Sequence, residues 1–66
     1  MSTKKNIWKA EFCLRMYPVG TGPVWDTATF TETTFVRAVA KARRIARDTR
    51  PRVNVKSLVP VGRITN

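Results

Sequence analysis

Basic residues recur at positions 37, 41, 43, 44 and 47, mostly at the three- and four-residue spacing that gathers side chains on one side of a helix. Across the chain Arg outnumbers Lys eight to five. A guanidinium presents a rigid fork of N–H donors that fits a phosphate bidentately, so this set points to phosphate binding. Arg37, Lys41, Arg43, Arg44 and Arg47 lead on to Arg50 and Arg52, and no carboxylate stands between Glu32 and Asp48 to relieve them. A second set, Lys9, Arg15, Tyr17, Trp25 and Lys56, mixes bases with aromatic rings. Such a mixture suits a sheet face that enters a groove or stacks bases. Tyr, Trp and Arg are also enriched where proteins meet, so an acidic protein surface is the rival partner for both sets.

Catalysis is not expected. The carboxylates are Glu11, Asp26, Glu32 and Asp48, and the last two are accounted for at helix ends. There is no His, and no nucleophile stands beside a candidate base. A single cysteine, Cys13, allows neither an internal disulfide nor a cysteine-based metal site, and no cofactor is expected. The run Pro18–Val19–Gly20–Thr21–Gly22–Pro23 lacks the spacing of a phosphate-cradling loop and reads as a turn between strands.

The basic set needs a helix to carry it, and Thr31–Asp48 has the pattern. At about 100° per residue, Phe35, Ala38, Val39, Ala42, Ile45 and Ala46 share an arc of about 120°, opposite the cations. Thr31 is the expected N-cap, with Glu32 in the first turn and Phe30 and Phe35 placed as a hydrophobic staple. A rival register caps at Thr29, with Glu32 closing a capping box. Pro51 excludes Arg50 from helical geometry and ends the element near Asp48 or Thr49.

Strands flank this helix. Ile7–Tyr17 alternates Trp8, Ala10, Phe12, Leu14 and Met16 against Lys9, Glu11, Cys13 and Arg15. Val24–Phe30 is a second strand, with Val24, Ala28 and Phe30 toward the helix and Trp25, Thr27 and Thr29 away. Val53–Val59 is the third; Pro60 breaks it or confines it to an edge, and Val61–Ile64 forms a short strand or an arm. Met1–Asn6 is a short basic arm with Lys4 and Lys5.

The order predicts one α+β domain over residues 1–66, a two-layer β-β-α-β unit with one helix on one sheet face. Phe12, Leu14, Phe30, Phe35, Val39, Ile45 and Val55 are the expected core. The third strand is placed beside the first, parallel or antiparallel. The uncovered face would hold Lys9, Arg15, Tyr17, Trp25, Thr27, Asn54 and Lys56 with Ile7 and Cys13. On so short a chain, that surface predicts a homodimer.

A net charge of +9 on 66 residues fits a polyanion partner. The expectation is a small nucleic-acid-binding protein of accessory or regulatory role, with duplex DNA favoured over RNA. The alternatives are a protein-binding module or inhibitor that docks on an acidic protein, and an RNA-binding component of a ribonucleoprotein. No apolar run is long enough to span a bilayer, and the alanine-rich helix stripe is too small to insert in a membrane surface. The expected location is cytoplasmic.

Overall fold

The computed structural model describes residues 4–64. β1 (Lys5–Leu14), β2 (Asp26–Glu32), α1 (Phe35–Asp48) and β3 (Val53–Ile64) follow in that order. The strands form one antiparallel sheet with β1 in the middle, ordered β2-β1-β3, and α1 covers one face. The architecture is thus a small two-layer α+β domain, and the orientation of the third strand is antiparallel.

The alternation read in β1 decides which face is covered. Ala10 and Phe12 are buried in the core beneath Ala42 and Ala46, joined by Val53 and by the partly buried Leu14, Ala28, Phe30, Ile45, Val55 and Leu58. The helix contributes alanines, so its backbone can come close to the sheet, and the sheet supplies the bulk through Phe12 and Phe30. Trp8 is also buried, and its Nε1 donates to the Glu32 carbonyl at 3.1 Å.

That hydrogen bond marks the first correction. Thr31 and Glu32 are not the start of the helix; they pair with Ile7 and Asn6 as the last residues of β2. The sheet ladder takes these peptide groups, and β-branched threonines suit a strand better than a first helical turn. The helix begins one turn later. Thr34 is the N-cap, its hydroxyl accepting from the Arg37 N–H at 3.3 Å, and the Ala38 N–H donates to its carbonyl. Phe35, expected in the core, is 57% exposed and makes no staple with Phe30. Its angular phase is sound, because Ala38, Ala42 and Ala46 on the same stripe are buried. It is exposed because it is the first residue of the helix, where its ring meets Trp8 with centroids 5.9 Å apart.

The first hairpin also differs from expectation. β1 stops at Leu14, where the Tyr17 N–H turns back to the Leu14 carbonyl, so Met16 is exposed rather than packed on the helix. A second turn closes from the Thr21 N–H to the Pro18 carbonyl, with Gly20 at φ 80° supplying the left-handed residue. β2 starts at Asp26, two residues after the expected Val24, and both Val24 and Trp25 lie exposed in the connection. Of the expected arm, Lys5 and Asn6 are the opening residues of β1; Met1 to Thr3 lie outside the described residues.

β3 does not break at Pro60. It runs unbroken from Val53 to Ile64 along an edge, where a residue without an N–H is tolerated. Two register shifts leave Lys56 and Val61 without partners on β1. The long β1–β3 ribbon makes the molecule 44 Å in its longest dimension, and its radius of gyration of 12.6 Å exceeds the ~11 Å of a compact chain this size. A 14-residue helix is about 20 Å long, so α1 covers less than half of that length. Among the described residues no helix is long and apolar enough to cross a membrane.

Candidate nucleic-acid interface

The helix holds five of the expected site residues on its outer side: Arg37, Arg43, Arg44 and Arg47 are exposed and Lys41 is half-buried. Three depressions chain these residues together. Glu32, Arg37, Ala40, Lys41 and Arg44 line one, and Ala40, Arg43, Arg44 and Arg47 line the next. Arg43 and Arg47 also form one wall of a third, a cleft of about 560 Å³ whose other lining includes Arg15, Val19, Arg52, Val53, Asn54 and Val55.

This cleft is lined by four arginines, two from α1 and one each from the residues that flank β1 and β3. Arg43 and Arg47 stand one helical turn apart. Arg15 and Arg52 face each other across the end of the sheet, because the Arg15 N–H donates to the Arg52 carbonyl at 3.0 Å and prolongs the β1–β3 ladder by one step. The floor is apolar, formed by Ala46, Val53 and Val55. Among the described residues, the only ion pair is Lys41–Glu32 at 3.9 Å, so none of the four cleft arginines has a carboxylate partner. Guanidinium groups brought together without counter-charge repel one another, and an anion bound among them removes that cost.

Lys41 has a different role. Besides pairing with Glu32, its ammonium lies 5.5 Å from the centre of the Phe30 ring. It ties the helix to β2 and is less free to meet a phosphate than its neighbours. Arg50 is engaged as well: its Nη1 donates to the carbonyls of Arg47 and Thr49 and closes the C-terminal end of α1. Lys56 donates to the Gly20 carbonyl at 3.2 Å and clasps the β1–β2 connection to β3.

The second expected set is not brought together. Lys9 sits on the face away from the helix, between Thr29 and Val59 on the neighbouring strands. Around it are Thr27, Thr31, Ser57 and Glu11, the last accepting from the Ser57 hydroxyl at 2.7 Å. This face is therefore largely uncharged and hydroxyl-rich. Cys13, expected open on that face, is fully buried. Tyr17 lies in the β1–β2 connection, packed over Gly22, and Trp25 is exposed at the very start of the β2 arm, its N–H donating to the Phe12 carbonyl at 2.7 Å. An open basic-aromatic sheet face is not formed. The connection instead reaches the cationic surface through Val19, a cleft residue that no sequence pattern marked, because only the fold of the two turns carries it there.

Compared with protein-family models, with curated proteins and with solved structures, the chain has no match.

Proposed function

We propose that the protein binds nucleic acid, duplex DNA in preference to RNA, through the outer side of α1 and the adjoining four-arginine cleft. The observation that carries the reading is the run of exposed arginines, Arg37, Arg44, Arg43, Arg47, Arg52 and Arg15, along linked depressions with no carboxylate partner among the described residues. Six guanidinium-bearing positions would not be left unneutralised on so small a domain without a cost that a polyanion removes. Arginine rather than lysine fits phosphate contact, and a helix about 20 Å long lies across many phosphates of a duplex that carries one charge per ~1.7 Å. On this reading the role of the protein is accessory or regulatory.

The test is an affinity measurement by fluorescence anisotropy against duplex DNA, duplex RNA and single strands at low and high salt. Saturable binding that weakens steeply with salt, strongest for duplex DNA, is the expected result. Absence of binding at low salt to every nucleic acid would remove the reading and leave an acidic protein as the partner.

A further inference from the structure

The two edges of the sheet are built differently. β3 carries the devices that keep an edge from pairing with another chain: Pro60, two register shifts, and the cations Lys56 and Arg63. β2, DTATFTE, has no proline, no glycine, no lysine and an unbroken register with β1.

The hydrogen bonds show which peptide groups of β2 are free. The Thr27 N–H donates to the Asp26 carboxylate at 2.8 Å, so it is turned away from β1. In an antiparallel strand the peptide groups of alternate residues point to opposite sides. The N–H and C=O groups of Thr29 and Thr31 therefore also face outward, while Asp26, Ala28, Phe30 and Glu32 pair with Phe12, Ala10, Trp8 and Asn6. Arg15 agrees with this phase, because its N–H reaches β3 and so assigns the odd-numbered residues of β1 to that side.

Charge selects the occupant. No lysine or arginine lies between Met16 and Val36, and β2 holds two of the four acidic residues, Asp26 and Glu32. In a chain of net charge +9 this edge is the side on which a second copy meets the least repulsion. It is also self-complementary. An antiparallel pair centred on Thr29 sets Thr27 against Thr31 of the other copy and Thr29 against itself, a ladder of threonines on one face, with Ala28 opposite Phe30 on the other. In that register Asp26 faces Glu32 of the other copy, and the Lys41 ammonium beside each Glu32 offsets the like charges.

We propose that two copies of the chain join through their β2 edges into one six-stranded antiparallel sheet. The two-fold axis of such a pair is perpendicular to the sheet, so both helices lie on the same face and both arginine surfaces face the same way. The interface is a strand edge and does not rest on the nucleic-acid reading.

Sedimentation of nucleic-acid-free protein at increasing concentration tests it. The expected species has twice the 7.5 kDa of one chain, and its association strengthens as salt screens the repulsion between cationic copies. Thr29→Pro removes an outward N–H that β1 does not use, so the monomer should keep its far-ultraviolet circular dichroism while the dimer is lost. Should that variant fail to fold, amide exchange on the unmodified protein decides instead. The Thr29 and Thr31 amides should gain protection with concentration, while those of Ala28 and Phe30 are protected throughout. A strict monomer at high concentration, open-ended polymers, or Thr29 and Thr31 amides whose exchange ignores concentration would each overturn the proposal.

Discussion

Phe12 is 2% exposed beneath the helix alanines, and no other aromatic of the core is so completely enclosed. Phe12→Ala should cost about 3–5 kcal/mol, because a packed domain collapses only partly into such a void. Phe35→Ala, at a ring more than half exposed, should cost much less; denaturant unfolding of the two variants side by side is the check. Equal losses would mean that Phe35 is held in the core after all. Gly22 makes a second prediction at this scale. An ideal Cβ there would lie 2.7 Å from Cγ of the Tyr17 ring, and the clash falls at the root of the side chain, not its flexible tip. Gly22→Ala should therefore force Tyr17 off its position and lower stability by about 1–3 kcal/mol. The displacement should be visible as a changed tyrosine signal in near-ultraviolet circular dichroism.

Among the elements, the helix shows what local pattern carries and what it omits. Its stripe, its basic side and its end before Pro51 were all legible, because period and backbone chemistry are properties of the segment itself. Its start was not. Thr29, Thr31 and Thr34 are all chemically competent caps, and the choice falls to Thr34 because β1 claims Thr31 and Glu32 for the sheet. Thr34→Ala should accordingly cost about 1 kcal/mol of stability in thermal or chemical unfolding. Thr31→Ala should show no capping loss, and the reverse order would restore the longer helix. The same limit explains the first hairpin. Alternation continues through Met16, yet the turn from Leu14 to Tyr17 takes that residue out of the ladder, a result set by where β2 must pair and not by the residues of β1 alone. Pro60 was readable as an edge marker, but the register shifts that leave Lys56 and Val61 unpartnered have no signature in composition.

At the scale of the whole molecule, the cations thought to act as one group divide by what they already touch. Lys41 is paired with Glu32 and lies over Phe30, Arg50 closes the helix end, and Lys56 clasps a loop; Arg43 and Arg47 are engaged with no carboxylate among the described residues and belong to both the helix side and the cleft. If the arginine surface tracks phosphates, each duplex phosphate neutralised contributes about 0.9 to the slope of log affinity against log salt. Changing Arg43 and Arg47 together to Gln should flatten that slope by up to about two units and weaken binding to all duplex sequences alike, while the melting temperature of the free protein does not fall and rises if their mutual repulsion is relieved. Lys41→Gln should do the opposite: a slope close to that of the parent, with stability reduced by about 0.2–1 kcal/mol as an exposed pair is lost. A parent-like slope for the double arginine variant would free the cleft from any part in binding and move the interface to the other cations of the chain.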